Sequence, residues 1–172
     1  MIVPVIAGLA IFAVLPFLYL IALSLTKSTL GAPMSEFVGA GNFARAARSA
    51  DFRGSILLTA TFAFLVCAIQ LVLGFALALL FDRITRGGGI LRALILLPLM
   101  TPPVMVGIAW KLILAPSGGL LNGWLLSLGW IAQPVSFFGS PGLAFLSIVT
   151  ADTWQWTPFV ALLCYSALKA LP

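Results

Sequence analysis

The chain has 172 residues, 62% of them apolar and 8% charged, with no histidine and a net charge of +5. A soluble domain averages about 45–50% apolar and about 25% charged residues, and a globule this small could not hide the excess from water. A secreted disulfide scaffold, a disordered chain and a nucleic-acid binder are excluded in turn: the two cysteines, Cys67 and Cys164, sit inside apolar runs, the hydrophobicity is high, and no basic stripe is concentrated anywhere.

Crossing about 30 Å of hydrocarbon takes about 20 apolar residues as a helix, so uncharged runs mark the elements. Met1 to Thr26 carries no charge and reads as a first span of about residues 2–26. It lacks a basic leader and a clean small-residue cleavage site, so an uncleaved helix is expected rather than a signal peptide. Residues 27–53 read as a mixed interfacial loop with Gly31, Pro33 and Gly39, followed by a short helix from Asn42 to Arg48, capped by Asn42 and lying on the membrane surface. Gly54 to Phe81 is uncharged and gives a second span, 54–81. Its run Leu71 to Leu80 does not alternate as a barrel strand would, and a helix pairs its own backbone groups in lipid. Residues 82–92 form a basic turn around Gly87-Gly88-Gly89, with three arginines in eleven residues. A third span follows at 92–115, then an uncharged external loop, 116–141, with Gly118-Gly119, Trp124, Trp130 and Pro134, then a fourth span, 142–168. The expectation is an all-α integral membrane protein with four transmembrane helices. The dense arginines of 82–92 place that turn and the N-terminus in the cytoplasm.

The last two spans carry the unusual residues. Pro98, Pro102 and Pro103 fall within six positions, which a regular helix does not tolerate, and Pro158 frees a carbonyl near Trp154. At about 1.5 Å per residue, Trp110-Lys111 lies about 27 Å from Arg92, at the opposite interface, and reads as an anchor pair. Asp152 lies about 15 Å from Gly142 and about 25 Å from Lys169, well inside the bilayer. An ionisable residue at that depth faces a polar cavity or finds a partner on a neighbouring helix. Asp152 and Trp154 are therefore candidates for lining a polar cavity. Broken helices near the midplane are where transporters bind their solutes.

Other chemistry is missing. There is no phosphate-binding loop, since Gly87-Gly88-Gly89 has no following Lys-Ser/Thr. Without histidine there is no His base, His metal ligand or triad, and Glu36, Asp51, Asp82 and Asp152 are too scattered for paired-carboxylate work. No catalytic residues, metal site or cofactor are expected.

Phe37-Val38-Gly39-Ala40-Gly41-Asn42-Phe43 and Leu73-Gly74-Phe75-Ala76-Leu77-Ala78-Leu79-Leu80 resemble the F-V-G-L-x-N-[FY] and L-G-x-x-L-A-L-L segments of carbohydrate-type ABC importer permeases, and four further stretches resemble the same family. Arg86 to Arg92 resembles the R-G-x-x-x-x-R turn. Leu97 to Val104, with Trp110, resembles L-P-x-x-x-P-x-[VI]…W. Gly119 to Asn122 resembles G-[LI]-[LI]-N, and Trp154 to Phe159 resembles W-x-x-x-P-[FY]. The resemblance implies the N-terminal part of a six-span type I permease in a bacterial inner membrane, with its N-terminus cytoplasmic. It implies a sugar substrate and, as partners, a second homologous permease, a cytoplasmic ATPase dimer and an extracytoplasmic solute-binding protein. By the same resemblance Leu99, Pro103, Gln155, Trp156 and Phe159 contact the sugar, with Leu99 and Pro103 replacing a tyrosine and a serine of the maltose-type relative. The E-A-A-x-x-x-G coupling loop of such permeases would begin just after Leu168-Lys169-Ala170-Leu171-Pro172, so the chain is expected to be a fragment that cannot transport alone. A permease for an amino acid or polyamine, or a structural subunit without a pore, are the alternative readings.

Overall fold

The computed structural model describes residues 2–84 and 88–170, which form two compact units, Met1–Thr59 and Ala60–Pro172.

The first unit opens with α1 (Val3–Leu9), a π-helical turn (Ala10–Val14) and α2 (Leu15–Ser24). Together they make a 22-residue apolar rod long enough to cross a membrane, matching the expected first span. The widened turn has a cause. Pro16 brings no N–H to the carbonyl four residues back and its ring crowds that carbonyl, so the ladder opens just before it.

The mixed loop contains a two-stranded antiparallel hairpin that the sequence reading missed, β1 (Thr26–Thr29) and β2 (Ala32–Phe37). Lys27 stands opposite Glu36, and a bulge follows between Lys27 and Thr29. Met34 adopts a left-handed φ of 54°, and the Ser28 hydroxyl accepts its N–H at 2.9 Å.

The surface helix is α3 (Gly41–Arg48), and its cap differs from expectation. Ala40 is the N-cap, whereas Asn42 turns back and donates Nδ2 to the carbonyls of Ser24 (2.8 Å) and Thr26 (2.9 Å). The last carbonyls of α2 have no helical donors, and this amide supplies one.

Helix α4 (Ala50–Arg83) is 34 residues long, starts four residues before the expected span, and contains the boundary between the units.

The second unit continues with α5 (Gly88–Met100), α6 (Pro103–Ile113), α7 (Leu120–Ser127) and α8 (Pro141–Ala170). Within the expected basic turn of 82–92, Asp82-Arg83 end α4 and Gly88 starts α5; Thr85, Arg86 and Gly87 lie outside the described residues. Helices α4 and α8 run parallel. Phe62 meets Phe145 edge-on at 6.1 Å, Gln70 meets Asp152, Gly74 meets Val160, and Phe81 meets Tyr165, again edge-on at 6.1 Å. The buried stripe of α4 is Val66, Gln70, Gly74, Ala78 and Phe81, one face at helical spacing. Helix α5 runs antiparallel to α8: the Arg92 guanidinium sits 4.5 Å over the Tyr165 ring, and Thr101 meets Gln155 ten residues earlier on α8.

The third span is not one rod, since α5 and α6 meet at a 92° bend. Pro98 is accommodated inside α5, and the break falls at Thr101-Pro102. Depth measured along a straight helix from Arg92 to Trp110 therefore no longer applies. Trp110 packs edge-on against Trp154 in the middle of α8, with 6.1 Å between ring centres.

The loop of residues 116–141 is pinned by Asn122 on α7, which is 2% exposed. Its Nδ2 donates to the carbonyls of Ala115 and Val135, both at 3.0 Å, and its Oδ1 accepts the Val135 N–H at 2.8 Å.

Among the described residues, two helices are long and apolar enough to cross a membrane, or three if the bent pair counts as one, so four spans do not follow from length and composition by themselves. Helix α8 has the length, at 30 residues, but carries Asp152, Thr153, Gln155 and Thr157 in its middle.

Candidate functional site

The polar turn of α8 lies where the third span breaks. Pro102 brings no N–H to the Pro98 carbonyl, which accepts the Thr101 N–H instead at 3.1 Å. That diversion leaves the Leu97 carbonyl short of a donor, and the Thr101 hydroxyl fills the place at 3.1 Å. On the far side of the break the Met105 N–H bonds Pro102, so the Thr101 carbonyl has no helical donor. Gln155 supplies one, donating Nε2 at 3.1 Å from a side chain that is 6% exposed. An orphan carbonyl in the bundle is costly, and this amide offsets it.

One turn earlier on the same helix, Asp152 has a partner. Gln70 of α4, itself buried, donates Nε2 to Asp152 Oδ2 at 2.8 Å. Of the two alternatives for a carboxylate at depth, the neighbouring-helix partner is the one observed. Gln70 was visible in the sequence as the lone amide of an uncharged apolar run, and nothing in the chain itself pointed to its partner.

Pro158 breaks the ladder of α8 in a similar way, and the Thr157 hydroxyl donates to the Thr153 carbonyl at 2.6 Å nearby. With Leu73, Leu77, Leu94, Pro98 and Pro158, Trp154 lines a largely apolar groove of about 590 Å³ between α4, α5 and α8. The Thr153 hydroxyl on this groove has its oxygen buried without a hydrogen-bond partner.

The five residues expected to contact a solute fall into two sets. Trp156 and Phe159 stack edge-on with centres 6.4 Å apart and are 40% and 45% exposed. Leu99 is half-buried and Pro103 exposed, two residues either side of Thr101. Gln155 joins the sets through its bond to the Thr101 carbonyl.

At the far end of α8 a cluster ties three helices together. Lys169 pairs with Asp82 at 2.7 Å, and Arg92 stacks on Tyr165. The hydrogen bond to Asp82, reinforced by its charge, raises the Lys169 pKa above the usual lysine value.

No family model matches the chain. It is 34% identical over all 172 residues to the trehalose/maltose transport system permease protein MalF of Thermococcus litoralis, covering 100% of the chain and 58% of that protein. It also resembles two crystal structures of a bacterial ABC transporter that imports the acidic polysaccharide alginate, with TM-scores of 0.83 and 0.82 at 20% identity. These matches cover all of this chain and 57% and 56% of the transporter chains, and the second structure includes an alginate pentasaccharide-bound periplasmic protein. The chain thus spans about half the length of the curated relatives it matches.

Proposed function

We propose, from the homology of this chain to sugar ABC transporter permeases, that it is the N-terminal part of the permease subunit of an ATP-driven sugar importer. The homologues are transport subunits and not enzymes, so hydrolysis belongs to a separate cytoplasmic ATPase dimer. A second permease and a solute-binding protein complete the proposed assembly, the latter in keeping with the periplasmic protein bound to the alginate transporter.

Four crossings of the inner membrane are part of this reading. Helix α8 accompanies α4 from Phe62 to Asp82, about 30 Å at helical rise, which is the thickness of the hydrocarbon layer. A parallel neighbour in contact over that distance crosses the same slab, and the limb from α5 to α7 must return between them. Its polar middle faces α4 and the break rather than lipid. The basic residues Arg83, Arg92 and Lys169 collect at one end, which we place in the cytoplasm; counting crossings back, the N-terminus is cytoplasmic too.

The observation that carries the site is the Gln155–Thr101 bond, because it fixes the aromatic turn of α8 against the broken span. We assign the solute path to Leu99, Pro103, Gln155, Trp156 and Phe159. Trp156 offers an indole face for the apolar side of a pyranose. Gln155 has its amide nitrogen engaged by Thr101, which leaves its carbonyl oxygen to accept a sugar hydroxyl. Alternating access then follows from movement about the break, with ATP binding opening the path outward and hydrolysis resetting it.

The test is uptake of radiolabelled trehalose and maltose by the complete assembly. Trp156→Ala is expected to lower uptake efficiency about tenfold, the loss of about 1.4 kcal/mol of stacking. Gln155→Ala, which also frees the break, is expected to lower it further. Unchanged uptake kinetics in both variants would remove this site. Uptake of an amino acid or polyamine in place of the sugars would overturn the solute class.

A further inference from the structure

The loop between the first two apolar helices carries more positive than negative charge. Lys27, Arg45, Arg48 and Arg53 face Glu36 and Asp51 only, and all six are exposed. None of the three arginines is ion-paired among the described residues. Arg45 donates to Asn42 Oδ1 at 2.8 Å, a neutral acceptor. On the proposed topology this loop is external, the side on which membrane proteins ordinarily carry fewer Lys and Arg.

Its position is set by hydrogen bonds. Asn42 joins α3 to the last carbonyl of the apolar rod, Ser24, and to Thr26 just beyond it. Helix α3 is therefore clamped at the mouth of a membrane-crossing element, at headgroup level. It is also amphipathic. Arg45 and Arg48, three residues apart, share one face, while Phe43 lies on the other. Phe43 and Phe52 are 54% and 46% exposed, an arrangement suited to the acyl boundary and not to water.

We propose that Arg45, Arg48 and Arg53 form a docking site for the phosphate of anionic phospholipid headgroups, with Phe43 and Phe52 seated in the adjoining acyl layer. Guanidinium groups match phosphate oxygens in a planar, two-pronged fashion, and these three have no ion-pair partner among the described residues. The site rests on the membrane reading and is independent of which solute is carried.

The experiment incorporates the full-length chain in nanodiscs of equal parts phosphatidylglycerol and phosphatidylcholine and identifies retained lipid by native mass spectrometry. Wild type is expected to retain phosphatidylglycerol preferentially. Arg48→Gln should reduce that preference about fivefold, and the triple variant Arg45→Gln/Arg48→Gln/Arg53→Gln more steeply, each arginine contributing a similar factor. The triple lysine variant, Arg45→Lys/Arg48→Lys/Arg53→Lys, keeps the charge and should keep most of the preference. An unselective wild type, or variants as selective as wild type, would overturn the site. The first of these outcomes would leave the basic face to an acidic protein partner. No solute enters the assay, so its failure leaves the transport reading standing.

Discussion

Gly74→Ala is expected to lower the thermal unfolding midpoint of the full-length permease in detergent, and Gly74→Leu to prevent recovery of folded protein. A Cβ at Gly74 would lie 2.8 Å from Val160 Cγ1, 2.9 Å from Val160 Cβ and 3.0 Å from the Ala161 backbone nitrogen. A side-chain tip can swing aside, but a backbone nitrogen cannot, so α4 and α8 must separate. Overpacking of this kind costs about 1–3 kcal/mol, about 2–4 °C of midpoint per kcal/mol in a chain of this size. Separation would also stretch the Gln70–Asp152 bond one turn away, which rigid packing transmits. Val160→Ala removes the nearest obstructing atom and is expected to restore part of the loss. An unchanged midpoint in Gly74→Ala, or no recovery in the double variant, would contradict the close approach.

Asp152→Leu is expected to destabilise the same pair of helices by leaving the Gln70 amide without its acceptor. Hydrogen bonds between helices in a membrane are worth about 0.6–1.7 kcal/mol, and an orphaned buried donor costs about 1–3 kcal/mol. Asp152→Asn keeps an oxygen in place and should retain most of the stability. The double variant Gln70→Leu/Asp152→Leu removes both polar groups and should recover much of the Asp152→Leu loss, since two apolar partners leave nothing unsatisfied. Midpoints of wild type, Gln70→Leu, Asp152→Leu and the double variant, combined as a double-mutant cycle, measure the coupling. Coupling near zero would mean that Asp152 acts without Gln70.

The sequence is informative where chemistry is local. Uncharged length marks the first two membrane helices, and the cluster of Pro98, Pro102 and Pro103 marks a distortion over six positions, within which the bend occurs. Asp152 is conspicuous because nothing else charged lies near it along the helix. The partners are harder to see. Which carbonyl Gln155 meets, and which amide Asp152 meets, depends on how three helices slide past one another, and that register is written in contacts such as Gly74 against Ala161 rather than in any one segment. The hairpin escaped because its strands are exposed on both faces and show no alternation to detect. Asn42 was misassigned for a related reason: a capping residue is defined by the carbonyls and amides around it, and here those of α2 compete for the side chain. The five residues proposed to face the solute were named by family resemblance, and the bond from Gln155 to Thr101 is the contact that brings their two groups together.

Whether the aromatic turn of α8 faces water or acyl chains is decided by thiol labelling from the aqueous phase. In the complete assembly, with Cys67 and Cys164 replaced by serine, single cysteines would be placed by Trp156→Cys and Phe159→Cys, with Phe64→Cys on α4, whose native ring is 78% exposed, as the lipid-facing comparison. A passage at the broken span predicts rapid reaction of the two α8 positions with a membrane-impermeant maleimide, slowed by saturating maltose or trehalose, and no reaction at position 64. Labelling at positions 156 and 159 as slow as at position 64 would contradict it.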